Sequence, residues 1–332
     1  MKSILRHEAA GARRTRQQGL SLIELMVALT IGSILMAGTV FVYVQSRNSY
    51  GVNETVARMQ ETARYALSVI EPDVRMSSYW GLVNDPELIT ARARQIDAIA
   101  AIAAGATANE CGDNFAVDMY MTVEGSDNDY TFGVGRDAGC NPGPGPSGTA
   151  QANADTLTIR RVSQTAAAAA AGRLQACTTR TTGQLFSDGA APCPVAPTGR
   201  INDVIVNTYY VSADSDDRAG LPSLRRQALV AGPDFQDQEI VPGVEDFQIQ
   251  LGIDPSGLNG TATQYVNPDD VIPADAQVVA VRVWILVRAE NPEVGFTDDR
   301  VYNYGNRVGY QPNDGFRRVL FSRTIQVRNS LG

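Results

Sequence analysis

The chain has 332 residues and a formal net charge of −8, with one His (His7), one Lys (Lys2) and otherwise only Arg as basic side chains, a length that fits one large domain or two small ones. Without imidazole or ammonium groups after residue 7, it cannot support Ser-His-Asp or Cys-His nucleophilic catalysis, His-ligated metals, Schiff-base chemistry or a P-loop lysine. Residues 1–19 carry Lys2, Arg6, Arg13, Arg14 and Arg16 against Glu8, a balance of +4 that leaves −12 on the other 313 residues, an acidic body that disfavours a nucleic-acid-binding surface.

The basic stretch runs into residues 20–44, LSLIELMVALTIGSILMAGTVFVYV, 25 residues with one ionisable group, Glu24. As a helix this is about 37 Å long, enough for a hydrocarbon core of about 30 Å. The basic flank predicts a cytoplasmic N-terminus with the C-terminal part outside. An ordinary secretory signal has a shorter apolar region followed by a small-x-small site, and none stands out near residues 38–46. A simple signal anchor explains the length and the flank but gives Glu24 no role. A carboxylate in a membrane helix costs on the order of 2.5–3.5 kcal/mol, so it is usually paired or functional. A cut between Gly19 and Leu20 would create an ammonium terminus one helical turn from Glu24. The two charges would then neutralise each other, within one chain or between neighbours packed with an axial offset.

The basic leader followed by Gly19-Leu20-Ser21-Leu22-Ile23-Glu24-Leu25-Met26-Val27-Ala28-Leu29 resembles the type III signal of type IV prepilins and type II secretion pseudopilins. The resemblance implies that prepilin peptidase cuts after Gly19, that Leu20 becomes the methylated N-terminus, and that Glu24 guides assembly. Leu20 is a departure, because the family most often has Phe there. The Arg13-Arg14 pair reads as leader charge, since the residues after it do not fit a twin-arginine signal.

Beyond the apolar segment, Val52, Val56, Met59, Ala63, Ala66, Ile70 and Val74 recur at spacings of three and four, one apolar helical face for packing against a domain. Arg58, Gln60, Glu61, Arg64 and Ser68 fall mostly on the other face. Pro72 lacks an N–H and should kink or end the helix near there. The expected element is one helix from residue 20 to the low seventies, about 75 Å long. Residues 89–108 are Ala-rich and fit a short helix, and 137–148 (DAGCNPGPGPSG) fit only a loop. Six alanines at 166–171 fit either a helical turn or a low-complexity insertion.

Strand signals dominate downstream. Residues 156–162, 203–211, 224–230, 245–253, 277–289 and 318–327 are β-branched runs bounded by Gly, Pro, Asp or Asn. Val279, Val281, Val283, Ile285 and Val287 alternate with Ala280, Arg282, Trp284, Leu286 and Arg288, as in a strand packed on a helix on one face and partly exposed on the other. Strands without regular helices between them favour an antiparallel sheet. The expected fold class is therefore α+β, a long N-terminal helix on an antiparallel β-sheet domain, which is also the pilin architecture. The segments 243–254 (GVEDFQIQLGID), 278–293 (VVAVRVWILVRAENPE) and 317–329 (RRVLFSRTIQVRN) are similar to the C-terminal blocks of PilW-type minor pilins, which are related to J-type pseudopilins. That similarity rests on Arg282, Arg288, Arg318, Arg328 and Asn329, within or at the ends of strands. Residues 81–200 carry no family motif.

The four cysteines, Cys111, Cys140, Cys177 and Cys193, include no CxxC, and with no His a zinc site would need all four thiolates from separate loops. Export implies an oxidising compartment and disulfides, and sequence proximity favours Cys111–Cys140 and Cys177–Cys193 among three pairings. The acidic runs 127–129, 214–217 and 298–299 lack the EF-hand pattern of oxygen ligands at positions 1, 3 and 5 with Gly at 6, so solvated loops fit better than calcium sites. Paired catalytic carboxylates are defined by distance in space, and nothing in the sequence points to a pair.

The expected organisation is a cleaved leader at 1–19, a membrane or filament-core helix at 20–44, its amphipathic continuation at 45–76, and a periplasmic β-rich domain at 77–332 with a variable insertion around 81–200. The expected function is that of a non-enzymatic minor pilin without cofactor or metal, with a J-type pseudopilin of a type II secretion system as the nearest alternative and a membrane-anchored periplasmic enzyme as the third. The resemblance implies as partners other minor and major pilins, prepilin peptidase, the inner-membrane assembly platform and a large tip adhesin, with the membrane as environment and no nucleic-acid contact.

Overall fold

A computed structural model of the chain describes residues 19–92, 108–109, 112–128, 130, 150–193, 198–232, 234–273 and 276–329. Most of the leader, most of the Ala-rich stretch 89–108, the loop 137–148 and both Cys111 and Cys140 lie outside the described residues. The chain divides into two compact units, residues 1–54 and 55–332. Helix α1 (Leu22–Met76) supplies residues to both.

In the first unit, residues 19–51 are exposed on every side. In the second, the apolar periodicity of the helix is realised: Met59, Ala63, Ala66, Ile70 and Val74 are buried and Val56 is half-buried. Arg58, Gln60, Glu61, Arg64 and Ser68 are exposed on the opposite face. Pro72 is exposed and α1 continues past it to Met76, because only the last turn lies beyond the hydrogen bond that the ring removes. The chain then leaves the helix through Ser77 and Ser78, the latter in left-handed backbone at φ 65°.

The strands in chain order are β1 (Ile89–Thr90), β2 (Ala108–Asn109), β3 (Gly112–Asp113), β4 (Val123–Glu124), β5 (Leu157–Val162), β6 (Ala171–Thr178), β7 (Gly183–Asp188) and β8 (Arg200–Ser212). They continue as β9 (Ser223–Val230), β10 (Asp234–Pro242), β11 (Val244–Asp254), β12 (Gln264–Val266), β13 (Gln277–Arg288), β14 (Tyr302–Tyr304), β15 (Arg307–Tyr310) and β16 (Arg318–Gln326). The larger sheet runs β1-β7-β6-β8-β5-β4, with β9 also on β8 and β10 on β9. The smaller sheet runs β12-β11-β13-β16. Pairing is antiparallel throughout both, apart from the two-residue parallel contact of β1 with β7. The fold is thus α+β, with one long helix on antiparallel sheet.

Both sheets meet the helix. The buried stripe of α1 shares one core with Leu157, Ile159 and Tyr209 of the larger sheet and with Phe247, Val283 and Ile285 of the smaller. All six expected strands are present as β5, β8, β9, β11, β13 and β16, with ends displaced by at most a few residues. The alanine run is not helical. Residues 166–170 belong to no helix or strand, Ala167 N donates to Ile201 O of β8 at 2.8 Å, and Ala171 opens β6. On β13 the valine face is buried as expected, but Ala280 and Leu286 of the other face are buried too. Leu286 packs under Tyr302 and Tyr304 of the β14–β15 hairpin, which covers part of that face.

The two sheets are joined by backbone at close range. A Cβ at Gly125, just after β4, would lie 2.2 Å from Thr156 O in the same sheet and 3.0 Å from Ile249 Cδ1 of β11, so only glycine fits where the sheets meet. Asp155 N donates to Phe247 O of β11 at 2.8 Å. Elsewhere Cys177 on β6 forms a disulfide with Cys193, their Cα atoms 6.0 Å apart, the sequential pairing expected for these two.

Candidate functional site

The first residues described are the ones singled out by the sequence. Gly19 and Leu20 precede α1 in non-helical, exposed backbone, and a Cβ at Gly19 would meet nothing within 4 Å. The helix then starts at Leu22, with Leu25 N donating to Ser21 O at 3.1 Å. Glu24 stands in the first turn and is exposed. Ser21 and Glu24 have the spacing of a capping box, yet among the described residues no hydrogen bond or ion pair reaches the Glu24 side chain. The free N–H groups of a first turn favour a carboxylate by about 0.3–1 kcal/mol. That is less than the roughly 2.5–3.5 kcal/mol that the same group costs in a membrane helix, so the helix end alone does not account for it.

Over residues 22–44 the Ser and Thr hydroxyls turn inward to their own backbone. Thr30 Oγ1 bonds Val27 O at 2.9 Å, Ser33 Oγ bonds Thr30 O at 2.8 Å, and Thr39 Oγ1 bonds Leu35 O at 2.8 Å. The Thr30, Ser33 and Thr39 hydroxyls therefore need no water, and the Tyr43 phenol is left at the outer end of the apolar run. What faces outward is apolar, with Leu22, Ile23, Ile34 and Phe41 each 70–79 % exposed. An apolar surface of this extent, all round a helix, belongs in lipid or among other helices. By length and composition the helix is able to cross a membrane.

In the second unit the helix is fixed by charge as well as by packing. Asp73 is buried, and its Oδ1 accepts Arg161 Nη2 at 2.6 Å while Oδ2 accepts Asn207 Nδ2 at 2.6 Å and Tyr209 OH at 2.7 Å. Burial, and then the adjacent carboxylate, push the Tyr209 phenol well above its ordinary range, which keeps it a donor. Glu71 pairs with Arg75 on the helix and with Arg323 on β16 at 3.1 Å. Arg328 N donates to Arg75 O at 3.1 Å, so the end of the chain's last strand secures the end of the helix. Sequence reasoning passed over Asp73, Arg161, Asn207 and Tyr209. The available signal was a carboxylate three residues after Ile70, on the apolar stripe.

The arginines singled out downstream divide into two kinds. Arg318 is buried between Glu245 (2.5 Å) and Asp314 (2.6 Å), and Arg288 lies over Phe316 while donating to Gly220 O at 2.5 Å. Arg282 instead stacks 3.9 Å from the centroid of Tyr265. The acidic runs engage protein donors: Asp214 accepts Gly220 N, Asp216 pairs with Arg225, and Asp298 pairs with Arg300. Among the described residues no group of three or more Asp, Glu, Cys or His is placed to hold a metal.

Residues 14–40 match the prokaryotic N-terminal methylation motif, and residues 208–329 match the family described as type IV pilus-assembly protein W, PilW. Over these two segments, which together make up less than half of it, the chain is similar to pilus-assembly protein W and to the N-terminal methylation motif. The PilW match runs from the end of β8 through β16 and so includes Arg282, Arg288, Arg318, Arg328 and Asn329. The methylation-motif match includes Gly19, Leu20 and Glu24. Among solved structures, a type IV-like pilin from Thermus thermophilus is similar at 15% identity and a TM-score of 0.29, covering 54% of this chain and 79% of its own. No curated protein matches the chain.

Proposed function

We propose that this PilW-domain pilin is a structural, non-enzymatic minor pilin of a bacterial type IV pilus. Prepilin peptidase cuts it between Gly19 and Leu20, and Leu20 becomes the methylated N-terminus. Residues 20–44 then hold it in the inner membrane and afterwards in the filament core. The +4 balance of residues 1–19 keeps that end cytoplasmic and leaves residues 77–332 in the periplasm before assembly. The observation that carries this reading is the exposed apolar surface of residues 22–44, with its single carboxylate, Glu24, in the first turn close to the exposed Gly19 and Leu20. After the cut the chain has neither Lys nor His, and its N-terminus is its only amine. That ammonium group, on the same or a neighbouring subunit, is the partner Glu24 lacks among the described residues.

The assembly platform of the inner membrane, the major pilin and other minor pilins are its partners in this reading. It joins them in a complex that primes assembly and sits at the tip, with a large adhesin, in support of adhesion and twitching motility. The match to a pilus-assembly family over residues 208–329 supports the pilus over the secretion machine. Deletion separates the two. Loss of surface pili with normal exoprotein secretion is expected, and intact pili with failed secretion would overturn the assignment. In the same background, Gly19→Val is expected to block processing and piliation, whereas full piliation by the uncut protein would contradict the reading.

A further inference from the structure

We propose that Asp127, Asp155 and Asp246 form a pH-sensitive staple: with a proton retained in the cluster, the joint between the two sheets and the β14–β15 hairpin are held closed, and loss of that proton loosens both. The geometry begins with Asp155, which is buried just before β5. Its Oδ1 accepts Asn128 N at 2.9 Å and its Oδ2 accepts Ile249 N at 2.8 Å, while its own N–H donates to Phe247 O at 2.8 Å. One side chain thus ties the segment after β4 to β11, across the boundary between the larger and smaller sheets.

Asp246, also buried, extends the staple to the hairpin. Its Oδ1 accepts Phe247 N at 2.8 Å, and its Oδ2 accepts Tyr304 OH and Arg307 Nη1, the latter at 2.6 Å. Asp127 Oδ1 accepts the side-chain amides of Asn128 and Asn306. Tyr304, Asn306 and Arg307, on and between the two strands of the hairpin, are therefore all held by this one cluster. Gly305 completes the contact, because a Cβ there would come 3.0 Å from Gln248 Cβ. The charge inventory is unbalanced. The segment after β4 brings Asp127, the approach to β5 brings Asp155, β11 brings Asp246, and the hairpin brings neutral Tyr304 and a single cation, Arg307. Three carboxylates, Asp155 and Asp246 buried and Asp127 half-buried, face one guanidinium.

Burial pushes the Asp155 carboxyl up, to about 8, with like charge from Asp127 and Asp246 adding to the rise against the two backbone N–H donors. Burial raises Asp246 as well, opposed by Arg307 and Tyr304. A carboxyl whose folded value exceeds its unfolded 3.8 contributes stability that is fully present below the unfolded value. The contribution is lost as pH rises through the folded value. The staple is closed on the acid side and loosens progressively as pH rises towards about 8.

Hydrogen exchange on the full chain in detergent micelles, corrected for intrinsic rates, reads the opening directly. Between about pH 6 and about pH 9.5 the amides of Asn128, Ile249 and residues 302–310 are expected to open at least about tenfold more, the equivalent of one pKa unit, while the interior of β13 does not change. Asp155→Asn is expected to flatten this step. Asp127→Asn, by removing a like charge, is expected to move its midpoint to lower pH. A wild-type protein without the step, or a step of the same size in Asp155→Asn, would overturn the proposal. If Asp155→Asn does not fold, Asp127→Asn decides, and an unchanged midpoint would overturn it.

Discussion

Two carboxylates on α1 stand in opposite circumstances. Asp73 is buried and saturated by donors from β5 and β8, whereas Glu24 is exposed on an otherwise apolar surface. Removing one partner from a buried, hydrogen-bonded ion pair usually costs about 3–5 kcal/mol, because the remaining charge is left without compensation. Asp73→Ala should therefore lower the unfolding free energy by about that much, measured by urea denaturation, by stranding Arg161. Glu24→Ala should behave differently, leaving folding and cleavage at Gly19 unchanged while sharply reducing recovery of the protein in sheared pili. Normal recovery would remove the basis for pairing Glu24 with an N-terminus. Glu24 was legible in the sequence because a lone charge in a 25-residue apolar run is conspicuous. Asp73 was harder to see, since its neighbours Arg161, Asn207 and Tyr209 come from strands 88 to 136 residues away.

At the scale of elements, the helix stripe and six strands were readable because their side-chain periodicity is the periodicity of burial. The strands that escaped, such as β10 (DFQDQEIVP) and the β14–β15 hairpin, are polar and are positioned by tertiary partners. Tyr210 OH, for example, bonds Asp237 of β10 at 2.7 Å. The alanine run was ambiguous for a similar reason, because methyl side chains suit helix and strand alike and the edge of β8 decides the outcome. Ala63 and Ala66 are fully buried where the helix meets the sheets, so Ala66→Leu should cost about 1–3 kcal/mol by overpacking, measured as a lower urea midpoint. The Cys177–Cys193 bridge closes a short loop between β6 and the segment before β8, with a sequence separation of 16. Replacing both cysteines by Ala should cost roughly 3 kcal/mol in the chain-entropy account, with the same readout.

For the whole molecule, the missing His and Lys take on a positive meaning. Composition alone excluded much catalytic chemistry, but it also concentrates the chain's amine chemistry into residues 1–19 and, after a cut, into one N-terminus. The N-terminal motif and the C-terminal PilW blocks could be read from sequence, because one depends on ordered local residues and the other on strand patterns. Between them, the knot around Asp73 and the staple around Asp155 depend on contacts that no local pattern encodes. The central claim is that the chain is cut after Gly19 and assembled through the new terminus. Mass spectrometry of the N-terminal peptide, from protein recovered in sheared pili, tests it most directly. The account predicts a peptide that begins at Leu20 and carries one added methyl group on its amine. A peptide beginning at Met1, or at any residue other than Leu20, in assembled pili would contradict it.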